Sequence, residues 1–265
     1  MNLREVAFIS SQRTLSSVQI RCLDIATRLG CNRILNVQRE SDIPKSYRVL
    51  ICVKLCISSS DLGQLAQRSA IIWDLIDRRP PARHVMIYLT STHLGKKMCD
   101  SLGRSICIPH HHCNFERNFG HPLNRHPGWI GARQWCPPDL PWDKFFVEGK
   151  NRQQIAENYR SIGLGLNVRH SGPGFRRHLA LNSGIKLINC IGFGLPSVSH
   201  PEPAYREIGP QCTSFANTSN LADAIDHLQH DEAAYQRMRS HCLSLAEQFH
   251  IDHISQQYKQ LLAQL

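Results

Sequence analysis

The sequence has no stretch of about 18 consecutive apolar residues, so it offers no candidate for a membrane-crossing helix. Its first residues, Met1-Asn2-Leu3-Arg4-Glu5, lack the apolar centre of an export signal, and a soluble, cytoplasmic protein is expected. No C-x-x-C pair occurs among its 11 cysteines, an odd number scattered along 265 residues. That pattern predicts reduced thiols, mostly buried as small apolar side chains, rather than a disulfide framework. Also missing are a Gly-x-Gly-x-x-Gly after the first strand, a P-loop and a Gly-x-Ser-x-Gly elbow. Dehydrogenase, NTPase and serine-hydrolase readings therefore lose their usual support. Neither half contains an Asp-x-Asp placed as a metal-bridging pair, and no catalytic metal is expected.

What is present is a hydrophobic content of 42%, enough for a full core, and a formal charge of +10. The charge favours anionic partners: nucleotide diphosphates, nucleic acid or an acidic membrane surface. Aromatic residues make up only 7% and no known nucleic-acid module is visible, so no nucleic-acid partner is expected.

The first half alternates apolar strands with helical patterns. Strands are read at Val6–Ser10, Arg33–Val37, Arg48–Val53, Ile71–Ile76 and Ser105–Ile108. Helices are read through Ile20–Leu29, stopped by Gly30, and at Leu62–Arg68 and Thr92–Leu102. Residues Phe115 to Pro127, rich in Asn, His, Gly and Pro, read as a linker. The second half restarts at Trp129-Ile130-Gly131, with a strand at Phe145–Val147 and a helix at Arg152–Tyr159. Further strands are read at Ile162–Leu166, Pro196–Ser199 and Thr213–Phe215. Helices around Lys186, at Ala204–Ile208 and Leu221–Leu228, and one long helix from Ala233 to about Leu262 complete it. Alternation of this kind implies parallel sheets, because right-handed crossovers need helices as connectors. The expected architecture is α/β: two Rossmann-like doubly wound domains facing a cleft, residues 1–114 and 128–265, joined by 115–127.

The densest stretch is Lys186-Leu187-Ile188-Asn189-Cys190-Ile191-Gly192-Phe193-Gly194-Leu195-Pro196-Ser197-Val198-Ser199. It reads as an apolar helix, a Gly194 stop suited to a left-handed C-cap, a Pro, then a short strand. It resembles the K-L-F-E-Y-x-A-x-G-x-P-V-V segment in the donor domain of GT-B glycosyltransferases, with Asn189 standing where that family most often has Glu. Ile108-Pro109-His110-His111-His112 resembles the family's V-I-P-N-G-V-D crossover, and Trp129-Ile130-Gly131-Ala132-Arg133 its first donor-domain strand and Gly-Arg turn. Ser161–Asn167 resembles its A-D-I-G-L-x-P strand, and Glu202–Gly209 its G-x-x-E-x-I turn.

The resemblance implies a metal-independent glycosyltransferase. It would move a sugar from a nucleotide-diphosphate donor, held by the C-terminal half, to an acceptor held by the N-terminal half. Arg133 and Lys186 become candidate diphosphate contacts, Arg176 and Arg177 a further clamp, Asn189 a ribose contact and Glu207 a donor-side residue. A nucleotide sugar is then the substrate, with no further cofactor. The unidentified acceptor is a glycan, a lipid-linked or a small molecule, and the basic charge allows peripheral membrane contact.

The histidine run offers a general base, buried polar contacts or a metal ligand, since a His titrates near neutrality. His110 is the candidate base and Asp77 the reserve, at the carboxyl end of the Ile71–Ile76 strand. Asp74 and Asp77 read equally as helix caps or ion pairs with Arg78, Arg79 or Arg83. The rival function is a non-catalytic GT-B-like binder of nucleotide or glycan, favoured by Asn189 in place of Glu. A basic nucleic-acid binder is the third reading.

Overall fold

A computed structural model describes residues 2–12, 16–76, 80–119, 125–131, 136–137, 144–147, 151–169 and 182–265. The chain divides into two compact units. Met1–His110, Leu181–Ser183 and Ile251–Leu265 form the first, His111–Ala180 and Gly184–His250 the second.

The first unit is built on a parallel sheet of β1 (Val6–Ser10), β2 (Asn32–Leu35), β3 (Val49–Val53), β4 (Ala70–Asp74), β5 (Ile87–Thr90) and β6 (Ser105–Cys107). Their order is β2-β1-β3-β4-β5-β6, and every pairing is parallel. Its helices are α1 (Ser16–Val18) and α2 (Ile25–Leu29), joined by a π-helical turn over Gln19–Asp24, then α3 (Ser59–Ala66) and α4 (His93–Cys99). Alternation along β1 sends Ala7 and Ile9 to one face, where Leu50, Cys52, Leu62 and Leu65 meet them. Phe8 points to the other.

The second unit has its own sheet: β7 (Pro127–Gly131), β8 (Lys144–Val147), β9 (Leu164–Asn167), β10 (Ser197–Ser199) and β11 (Thr213–Phe215). The order is β11-β10-β9-β7-β8, again parallel throughout. The helices are α5 (Arg152–Arg160), α6 (Ile185–Phe193), α7 (Pro203–Ile208), α8 (Leu221–His230) and α9 (Glu232–Ala246). Trp129, Leu164, Leu166 and Val198 pack on Leu221, Ile225 and Leu228 of α8. Ile130 faces the other way, in a cluster with Ala156 and Tyr159 of α5 and Cys190 and Phe193 of α6. Gly194 closes α6 at φ 65, the left-handed cap its sequence allows.

Two separate parallel sheets are present, as the strand–helix alternation predicts, with three departures. Strand β5 is additional to the strands read from the sequence, its apolar run Val85–Leu89 lacking an alternating period and following the turn-rich Arg78-Arg79-Pro80-Pro81. The long final helix is broken. After α9 comes a 3-10 turn over Glu247–Phe249, and His250 is extended at φ −71, ψ 146. No Gly or Pro marks the break; buried His250 makes it, with Nε2–H donating to the Phe115 carbonyl at 3.1 Å.

The third departure follows from that break. The helix beyond it, α10 (Ile251–Ala263), carries buried Ile254, Tyr258, Leu261 and Leu262 on one stripe. Tyr258 lies 5.9 Å from the Phe8 ring, so α10 covers the second face of the first sheet. It packs with the N-terminal unit rather than with residues 128–250. The units also part after His110 rather than within 115–127.

One buried ion pair braces the first unit. Arg21, fully buried in the π turn, donates Nε–H to Asp74 Oδ2 at 2.7 Å and Nη2–H to Oδ1 at 3.0 Å. Nη1 donates to the carbonyls of Ile108 and Pro109, both at 2.9 Å, and the Tyr258 hydroxyl donates to Asp74 at 3.2 Å. Among the described residues the cation paired with Asp74 is thus Arg21, while Arg78 and Arg79 lie outside them. Removing one member of a buried pair strands the other charge in a low-dielectric site. Asp74→Ala should therefore lower unfolding free energy by about 3–5 kcal/mol in urea titrations, with Arg21→Met/Asp74→Leu recovering much of it. A loss below about 1 kcal/mol for Asp74→Ala would show that the pair does not brace the fold.

Candidate functional site

Open parallel sheets bind ligands beyond the carboxyl ends of their strands, where the strand order reverses. In the second unit the chain runs from β7 outward to β8 and returns on the other side as β9, so the reversal lies between β7 and β9. Gly131 ends β7 at that point. A Cβ there would sit 2.7 Å from Lys186 Nζ and 2.8 Å from the Trp129 ring. Only glycine leaves room for the amine to approach.

Lys186 belongs to the first turn of α6, and its Nζ lies 3.8 Å from the Trp129 ring centroid, a close cation–π contact. Trp129 is fully buried and fixed by its Nε1–H on the Val168 carbonyl at 2.8 Å. A lysine in the first turn opposes the helix macrodipole, whose amino end is already positive. No side chain caps α6 by a hydrogen bond among the described residues. An amine thus reaches a glycine notch at the sheet's switch point from the first turn of a helix, an arrangement suited to an anion.

Two residues beyond β9 stands Arg169, its side chain 20% exposed, paired with Glu202 at 3.4 Å. The Glu202 carboxylate is buried, its side chain 3% exposed. Arg169 N–H donates to His200 Nδ1 at 3.4 Å. Burial, and then the Arg169 charge, hold the His200 pKa below its ordinary value, which keeps Nδ1 an acceptor. Beneath these groups the strand ends are tied by buried side chains. Asn167 Nδ2–H donates to Ser199 Oγ at 3.1 Å, and the Thr213 hydroxyl lies 2.6 Å from Ser199 Oγ. Backbone motion at this edge is thereby restrained.

Of the residues expected to act, Lys186 is at the switch point. Asn189, one turn along α6, is 6% exposed, and its Oδ1 accepts the Cys113 N–H at 2.9 Å. Glu207 is exposed on α7. Arg133, Arg176, Arg177 and Asp77 lie outside the described residues. His110 ends the first segment of the first unit and is only 1% exposed. Sequence reading passed over Arg169 and Glu202 as individual groups. The available signal was position, since Arg169 closely follows the Ile162–Leu166 run and therefore marks a strand's carboxyl end.

No family profile matches this sequence, and neither does any curated protein. Solved structures do. HepE from Anabaena, in complex with UDP-glucose, superposes with a TM-score of 0.63 at 13% identity, over 98% of this chain and 99% of that one. An α-glucosyltransferase in complex with UDP gives 0.59 at 8% identity over 98% and 99%. AviGT4, a glycosyltransferase of avilamycin A biosynthesis, gives 0.59 at 11% identity over 96% of each chain. At such identities the likeness establishes the fold. The chain has the GT-B fold across nearly its whole length.

The histidine run has a definite structural consequence. His112 Nδ1 accepts the Asn114 N–H at 3.2 Å and Nε2–H donates to the Ala246 carbonyl at 3.1 Å, which fixes a neutral tautomer. Its ring occupies the space a Cβ on Gly192 would need and meets the His250 ring at 5.4 Å. Burial first, then His250 and His111, push its pKa down to about 3. An unfolded chain binds this proton below its ordinary value of 6.5, whereas the folded chain does not. The contribution is therefore complete above pH 6.5 and falls by about 1.4 kcal/mol per pH unit from there toward pH 3. Urea midpoints between pH 7.5 and 5 should drop steeply in the wild type and less in His112→Gln. Equal slopes in both would remove His112 as the cause.

Proposed function

We propose that this protein is a glycosyltransferase whose second unit holds a nucleoside-diphosphate sugar, with its diphosphate at the switch point between β7 and β9. The observation that carries this reading is the Gly131 notch at the switch point, with the Lys186 amine against it. As the glycosidic bond breaks, negative charge grows on the leaving diphosphate. Lys186 and the α6 amides would stabilise that charge in place, without reorganising. Arg169, two residues beyond β9 and paired with Glu202, is a further cation at the carboxyl ends of this sheet. Arg133 and Arg177 are proposed to extend the clamp, from their places after a strand and within a Gly-Pro-Gly loop. UDP-glucose and UDP in structures of the same fold favour a uridine donor.

Calorimetry with UDP tests the assignment. Lys186→Ala should weaken binding by about 1.5–3 kcal/mol, the range for a hydrogen bond to a charged group. Unchanged UDP affinity in that variant would reject Lys186 as the diphosphate contact.

With cationic side chains serving the leaving group, turnover is proposed to be independent of a divalent metal. UDP release from UDP-glucose should persist in excess chelator. Loss of activity restored by manganese or magnesium would overturn this part of the reading.

A second reading has one observation in its favour. Asn189, not a carboxylate, stands on α6 where the GT-B resemblance would have Glu, and its Oδ1 is taken by the Cys113 N–H. A nucleotide- or glycan-binding protein without transfer activity fits that arrangement. Saturable UDP-sugar binding with no UDP release across an acceptor panel would favour it.

A further inference from the structure

We propose that the amino-terminal edge of the first unit's sheet, at β5, β6 and the end of α4, is a docking surface for an anionic lipid bilayer. Among the large apolar side chains that stand out from the described surface, Met86 (51% exposed), Met98 (47%) and Leu102 (40%) fall together here. The sheet register sets them side by side. Tyr88 pairs with Ser105, and its N–H donates to the Arg104 carbonyl, so Met86 and Leu102 stand at the same strand edge. Met98 lies one helical turn before Leu102, whose N–H bonds the Cys99 carbonyl.

Cations surround the three. Lys97 and Arg104 are exposed, and Arg104 donates to the neutral amide of Gln264 on the turn after α10, which leaves its charge uncancelled. Arg48, exposed just before β3, has Glu5 at 3.9 Å as its ion-pair partner among the described residues. The nearby acid, Asp100, is already engaged by Lys96 and Ser105.

Flexible aliphatic side chains flanked by cations match the acyl boundary and headgroup charge of an anionic leaflet. A surface for single-stranded nucleic acid would instead present aromatic rings for base stacking. Tyr88, the aromatic side chain of β5, is 1% exposed. This edge also lies at the opposite ends of the strands from the β1–β3 reversal of the same sheet, so a bilayer here would leave that carboxyl edge open. The surface is independent of the proposed activity.

Co-sedimentation of the full chain with vesicles tests the assignment. Binding is expected to phosphatidylcholine vesicles containing phosphatidylglycerol and not to phosphatidylcholine alone. Met98→Ser/Leu102→Ser and Lys97→Gln/Arg104→Gln should each weaken it by about tenfold or more, with unchanged thermal midpoints. Leu243→Ser, at an exposed leucine of the second unit, should leave binding intact. Failure of the wild type to bind anionic vesicles, or wild-type binding in both double variants, would overturn the proposal. So would loss of RNA retention in those variants without any vesicle binding, which would make the edge a nucleic-acid surface.

Discussion

The first unit depends on how one guanidinium is satisfied. Arg21 has no access to solvent, and four hydrogen bonds spread its charge over Asp74 and the carbonyls of Ile108 and Pro109. Those partners belong to the end of β4 and to the segment leaving β6. The Tyr258 hydroxyl adds α10 to the same carboxylate. Helix, sheet and C-terminal helix therefore meet at one charge, and none can shift without leaving a buried polar group unpaired. A π turn at this position is understandable on the same ground. It offsets the helix by one residue, enough to swing a long side chain into a point that α-helical phase alone need not reach. The backbone just before His110 is held by that arrangement.

The second unit solves a different problem, that of gathering positive charge at a sheet edge while keeping the edge rigid. Lysine in the first turn of a helix and arginine beyond a strand are each unfavourable beside positive helix termini. Each is restrained by a different kind of group, a ring that leaves the Lys186 charge in place and a carboxylate that balances the charge of Arg169. Trp129 offers Lys186 a π face, and Glu202 offers Arg169 a single carboxylate. The hydroxyl and amide ties from Asn167 through Ser199 to Thr213 keep three strand ends in register below them. A pre-formed cationic edge of this kind spends little reorganisation on a diphosphate.

Much of this was legible in the sequence, and the exceptions have physical reasons. Gly194 and Pro196 announced the end of α6, because a left-handed cap and a missing N–H are local requirements. Lys186 was legible for the same reason, standing at a helix start beside recognisable punctuation. Asp74 was not. The nearby arginines at 78, 79 and 83 looked like its partners, whereas the actual partner lies 53 residues away in sequence. The stop at His250 was equally hidden, since its cause is a tertiary bond to Phe115 and a ring contact with His112. An uninterrupted apolar period across that point reads as one helix until its two halves are seen to serve different cores.

Asn189 shows where position and chemistry separate. By spacing it occupies a place that would suit a donor contact, one turn from Lys186 on the same helix. Its Oδ1 instead accepts the Cys113 N–H, so it joins α6 to the segment after the histidine run. A carboxylate could accept the same bond. Its charge would be buried at this 6% exposed position, at considerable desolvation cost. The amide is therefore the side chain that this packing permits.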